Sequence, residues 1–172
     1  MPNICSTVES LNTIMDEENV NVFERQNVLT KAELQARTEI LLEAYSMQIN
    51  IEALTMSNMV KRQILPACVE YSSRLAGAVE SISSAGVSAD TQKAMLEKLC
   101  GLISSLDENV KKLEKDTGKA GEIAGVSKQA EYYREVVIEA MSKVRQAADQ
   151  LEAIVDAELW PLPTYAEMLF LK

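Results

Sequence analysis

The chain has 172 residues, 47% of them hydrophobic and 25% charged, and a formal net charge of −9. That is enough apolar material for a sizeable core and excludes a disordered chain. Residues 1–60 alone hold nine acidic and three basic residues, a balance that repels phosphate backbones and argues against nucleic acid or an anionic membrane as partner.

Helical periodicity dominates, and no clean apolar/polar alternation bounded by turn residues predicts a strand. "STVESLNTIMDEE" sets Ser6 and Glu9 at capping-box spacing ahead of Val8, Leu11, Ile14 and Met15. This predicts a short helix, with a second through "NVFERQ". Thr30 and Glu33 repeat the spacing before a far longer helix, about residues 30–84. Its expected apolar seam steps by threes and fours through Ile40, Ala44, Met47, Ile51 and Leu54. The seam weakens at Asn58 and Lys61, then resumes at Leu65, Cys68, Leu75, Val79 and Ile82. Pro66 removes one backbone hydrogen bond and crowds the Arg62 carbonyl, so a kink rather than a stop is expected.

"SSAGVSAD" reads as a turn, with Gly86 closing one helix and Ser88 capping the next. That helix, about residues 89–116, carries Met95, Leu99, Leu102, Leu106, Val110 and Leu113 at coiled-coil spacing. "DTGKAGEIAG" interrupts the period and reads as a second connection. The last helix, about residues 126–158, has the cleanest seam: Val126, Ala130, Tyr133, Val137, Ala140, Val144, Ala147, Leu151 and Ile154. Alternate alanines let a neighbouring backbone approach closely. The expected fold is all-α: an elongated antiparallel three-helix bundle over residues 30–158. A short helical segment (1–29) precedes it and a non-helical tail rich in proline and aromatic residues (159–172) follows. The first long helix, about 80 Å at 1.5 Å per residue, outruns its partners.

Candidate chemistry is sparse. Histidine is absent, which removes the commonest general base and zinc ligand. Cys5, Cys68 and Cys100 are odd in number and far apart, and are expected as reduced, buried thiols rather than a disulfide or metal framework. "TGKAGEIAG" lacks the residue order and the preceding strand of a phosphate loop, so a flexible connection is expected. Glu131, Glu135 and Glu139 share a helix face, but without histidine they read as a solvated acidic face eased by Lys98, Lys111 or Lys115. Met47, Met56 and Met59 read as core filling, an adaptable binding face being the alternative. Lys61 and Arg62 mark either a functional kink or a solvated face. Catalytic, cofactor-binding and metal residues are therefore expected to be none. No apolar run nears the roughly 20 residues of a membrane helix, and the first ten residues lack a secretory pattern, so a cytoplasmic protein is expected.

The tail "ELWPLPTYAEMLFLK" is different in kind. Pro161 and Pro163 stiffen "WPLP" into an extended segment. Trp160, Leu162, Tyr165, Met168, Leu169 and Phe170 carry too much apolar area to leave in water, at roughly 1.5–3 kcal/mol per large side chain buried. Trp160, Pro161, Leu162, Pro163, Tyr165, Leu169 and Phe170 are the candidate interface residues, docking on the bundle itself or on a neighbour.

"FERQNVLTKAELQARTEILLEAY", "INIEALTMSNMVKRQILPA", "EYYREVVIEAMSKVRQAADQLE" and "ELWPLPTYAEMLF" resemble the C-terminal region of type III glutamine synthetases, the long bacterial form of that enzyme. The match runs from about Val22 to the end, and "QILPA" and "ELWPLPTY" are unusual strings. The resemblance implies a parent enzyme that joins ammonia to glutamate with ATP and magnesium, as a ring-based homo-oligomer serving nitrogen metabolism. The strand-borne glutamates of that catalytic machinery have no counterpart here, so no catalytic or metal residue carries over. The chain is then expected to be the non-catalytic helical domain, with no cofactor of its own. Its expected partners are the catalytic domain of the same polypeptide and other subunits, and its role is architecture or active-site access. The rival expectation is a free-standing helical adaptor for a protein partner; an enzyme in its own right is a third reading, disfavoured by the missing histidine and strands.

Overall fold

The computed structural model describes residue 4 and residues 6–163 and 165–169. Every regular element among them is helical, and no strand occurs among the described residues. Cys5, Phe170 and the side chain of Tyr165 lie outside the described residues.

Both expected caps form, the one at Thr30 as a reciprocal box. In α1 (Thr7–Ile14) the Glu9 N–H donates to Ser6 Oγ at 3.1 Å. Ahead of α3 (Lys31–Met59), the Glu33 N–H donates to Thr30 Oγ1 (3.3 Å), while the Thr30 N–H and hydroxyl both donate to the Glu33 carboxylate at 2.8 Å. Those bonds, the N–H first, hold the Glu33 carboxyl below its ordinary value of 4.5. A depressed folded value means the stabilisation is complete above the ordinary value and fades as pH falls through the folded one. Thr30→Ala is expected to lower stability by about 1 kcal/mol at neutral pH. The gap should narrow below pH 4.5, where protonated Glu33 accepts less from Thr30; urea unfolding followed by circular dichroism at both pH values reads it.

Between these helices, α2 (Glu17–Arg25) closes on Asn27 at φ +50°. The Asn27 N–H reaches the Glu24 carbonyl and the Val28 N–H reaches that of Phe23, both at 3.0 Å, a closure that needs a left-handed residue. The same device ends α4 (Leu65–Ser84), where Gly86 sits at φ +77°, as its position in the turn predicts. Its N–H meets the Ser83 carbonyl (3.1 Å), and the Val87 N–H meets that of Ile82 (3.3 Å). Ser88, expected as a cap, instead donates to the Asp90 carboxylate.

Pro66 does not stop the helix. A wider π-helical turn, Val60–Ile64, joins α3 to α4, and the Leu65 N–H bonds five residues back to Val60. Such a turn gives room to carbonyls that a proline ring crowds. A second π turn, Tyr133–Val137, joins α6 (Val126–Tyr132) to α7 (Ile138–Glu152).

Three boundaries differ from expectation. α5 (Asp90–Glu122) runs through the supposed "DTGKAGEIAG" break. Its buried positions continue in seam register from Leu113 to Thr117 and Ala120, so tertiary burial outweighs the roughly 1 kcal/mol that each glycine costs. α7 ends at Glu152 rather than near 158. The Asp156 carboxylate accepts from the Glu158 N–H at 3.0 Å, and the Asp156 carbonyl from Leu159 (2.9 Å) and Trp160 (3.0 Å), a local turn that competes with the helix. The tail, expected to be non-helical, contains the short helix α8 (Tyr165–Leu169), whose "YAEML" holds good helix formers free of proline.

The chain divides into two compact units. The first comprises Met1–Leu54 and Glu114–Glu139. Val8 and Leu11 of α1, Leu42 of α3 and Ala130 of α6 form its core cluster, with Ile14, Tyr45 and Val126 packed around. A polar clasp accompanies it: the Asn12 amide donates to Glu131 Oε1 (3.1 Å), and the Ser127 hydroxyl bonds Asn12 Oδ1 (3.0 Å). Gln129 donates to the Ala120 carbonyl at 3.0 Å, satisfying an acceptor in the last turn of α5. The second unit comprises Thr55–Leu113 and Ala140–Lys172. Its interior holds Val60, Ile64, Cys68, Leu99, Leu106, Val110 and Leu113, and from α7 onward Ala140, Val144, Ala147, Leu151, Val155 and Trp160.

The seam expected for the last helix is the buried one: Ala130 to Leu151 are all buried, with Val126 and Ile154 half-buried at its ends. For α3 the reverse holds. Its buried row is Leu34, Thr38, Leu42, Ser46, Ile49 and Ala53, while the expected seam of Ile40, Ala44, Met47, Ile51 and Leu54 faces solvent. The buried row is the smaller and more polar one, and Thr38 satisfies its hydroxyl on the Leu34 carbonyl at 2.9 Å. Small residues admit a closely packed neighbour, so packing overrides oiliness.

Candidate functional site

The titratable candidates resolve into structural roles. Glu131 belongs to the clasp with Asn12 and Ser127, while Glu135 and Glu139 are exposed. Lys111, expected to ease that acidic face, pairs with Asp107 one turn away. Among the described residues no group of three or more His, Cys, Asp or Glu side chains is arranged to hold a metal ion. Cys68 is buried, and desolvation pushes its thiol up to about 11, which keeps it neutral and inert. Cys100, expected to be buried, is exposed. Lys61, Arg62 and Gln63 form the exposed side of the first π turn.

The candidate interface residues of the tail separate. Trp160 is only 9% exposed and belongs to the interior of the second unit, carried in by the Asp156 turn. Leu162 is half-buried, Pro161 and Pro163 are exposed, and Leu169 is 75% exposed. The tail therefore splits between an anchor and an outward end.

A long exposed apolar row lies on α3 within the first unit. Ile40 (63% exposed), Met47 (65%), Ile51 (57%) and Leu54 (53%), with Ala44 between them, recur in steps of four and three along one face. Leu41 flanks the row. Met47 had been expected in the core. The opposite face is buried, so α3 is apolar on two sides and, among the described residues, only one of them is covered. Side-chain bonds from Gln35 to Glu39 (2.9 Å) and from Gln48 to Glu52 (3.0 Å) brace the helix alongside. The signal was legible as a heptad row; only its orientation was not. A row of large apolar side chains left in water on a regular helix is the form taken by helix-docking surfaces. No described helix is long and apolar enough to cross a membrane.

A family model described as "Glutamine synthetase C-terminal domain" matches residues 1–83. Over 178 residues the chain is 32% identical to the type-3 glutamine synthetase of Dictyostelium discoideum, an alignment covering 100% of this chain and 24% of that protein. It is 31% identical to a glutamine synthetase of Butyrivibrio fibrisolvens, over 99% of this chain and 25% of the relative. For a glutamine synthetase of Bacteroides fragilis the figures are 27%, 100% and 24%. The chain thus spans about a quarter of the length of each relative. The family match over the first half of the chain and the alignment of nearly all of it with three synthetases agree with the unusual strings noted above: the chain is similar to the glutamine synthetase C-terminal domain family over residues 1–83 and to type-3 glutamine synthetase along its length.

Proposed function

We propose that this chain is the non-catalytic helical C-terminal domain of a type-3 glutamine synthetase in the cytoplasm, with a role in subunit architecture or active-site access. The carrying observation is coverage: the whole chain aligns, yet only to about a quarter of each synthetase. The parent activity, ligation of ammonia to glutamate driven by ATP with magnesium, then belongs to the remaining three quarters. Buried rows on α3, α5 and α6–α7 support packing of the three long helical runs as an antiparallel three-helix bundle. The partners are the catalytic part of the same polypeptide and neighbouring subunits.

The test is complementation. A type-3 synthetase truncated before this domain is mixed with, or fused to, the present chain, and solution mass and glutamine formation are measured. Recovered assembly or activity supports the reading. A truncated enzyme that is already complete in both, or ATP consumption by this chain alone with ammonia and glutamate, overturns it.

A further inference from the structure

We infer that residues 40–54 of α3 form a self-recognition surface on which a second copy of this chain seats its own α3, antiparallel. The inference rests on the architectural reading above and names the surface that would carry it. Ile40, Met47 and Leu54 lie seven residues apart in one row, and Ala44 and Ile51 seven apart in the other. A two-row face of this period accepts another helix with the same period. The second copy supplies one without further requirement.

The register follows from size and charge. With a two-fold axis between residues 45 and 46, Ile40 of one copy faces Ile51 of the other, and Ala44 faces Met47. Small then meets large in the central layers, as close packing requires. A parallel pairing would set Ala44 on Ala44 and Met47 on Met47, alternating a gap with a clash. In the antiparallel register Glu43 faces the neutral amide of Asn50, Leu41 meets Gln48, and Leu54 covers the aliphatic stem of Arg37. No like charges meet.

The magnitude predicts a weak pair. Two heptads of helix run about 21 Å, and a face of that length removes on the order of 500 Å² per copy. The total of about 1,000 Å² stands at the lower edge for a specific interface. A reversible dimer in the micromolar range is expected.

Sedimentation equilibrium of the full chain from micromolar to near-millimolar concentration should show the mass rising from 19.0 kDa towards twice that. Met47→Glu and, separately, Ile51→Glu should each weaken dimerisation at least about tenfold, with helicity and thermal midpoint unchanged because both side chains are exposed. In a Cys5→Ser, Cys100→Ser background, an equimolar mixture of Ala44→Cys and Met47→Cys chains should cross-link on mild oxidation faster than either alone. A monomer across the whole range, or a dimer indifferent to both glutamate variants, overturns the proposal; faster cross-linking of Ala44→Cys alone overturns the antiparallel register. A monomeric chain that still restores a truncated synthetase sinks this pairing and leaves the architectural role standing. A chain that does neither sinks both.

Discussion

Replacing Trp160 with alanine is expected to lower the unfolding free energy by about 3–5 kcal/mol, the usual cost of emptying a buried tryptophan site. The side chain lies in the interior of the second unit although it stands eight residues past the last turn of α7. The Asp156 turn delivers it, and an indole buries roughly 150–250 Å². Against a total stability of about 5–15 kcal/mol, this single anchor is a large fraction. Urea unfolding of Trp160→Ala should show a lower midpoint at nearly unchanged slope. Leu169→Ala, at an outward position of the same tail, should stay within about 0.5 kcal/mol of wild type. Because Trp160 is the only tryptophan, its fluorescence in the wild type should shift to the red in the same transition. Equal effects of the two substitutions would mean that the tail is not anchored by the indole.

Leu42→Ala is expected to cost about 2–5 kcal/mol, while Met47→Ala, five residues along the same helix, should change stability by no more than about 0.5 kcal/mol. Leu42 belongs to the cluster with Val8, Leu11 and Ala130, so its truncation opens a cavity that three helices line. Met47 projects from the opposite face and meets solvent. Thermal and urea unfolding at micromolar or lower concentration, where self-association contributes little, separates the two effects. The reverse order of sensitivity would place the oilier row of α3 inside, contrary to the fold described here.

That pair of residues also shows how far linear pattern reaches. A period of three and four residues predicts that a helix has an apolar face, and α3 has two. The oilier row, Ile40 to Leu54, looked like the core because hydrophobicity was the only available measure. The row actually buried contains Thr38 and Ser46, small enough for a neighbour to come close, and that advantage exists only once a neighbour is present. The last helix had a single row, so no such ambiguity arose, and its seam was legible from Ala130 to Leu151. α5 repeats the lesson at its end. Gly118 and Gly121 read locally as a break, yet Asp116, Thr117 and Ala120 are buried and carry the helix to Glu122.

The candidate surface was half legible for the same reason. Its residues were identified as a heptad row and then assigned to the wrong side of the helix. The tail was identified by composition, whereas the division between a buried Trp160 and an exposed Leu169 depended on where the Asp156 turn directs the chain.

Taken alone, the amino-acid order determined the helical class, the caps at Ser6 and Thr30, the left-handed glycine after α4 and the family resemblance. Each depends on residues within a few positions of one another or on strings compared as strings. Which face of α3 points inward, where α5 and α7 stop, and which end of the tail is held were decided only in three dimensions. Burial is a property of pairs of distant segments, and its few kilocalories per side chain exceed the fractions of a kilocalorie by which local preferences differ.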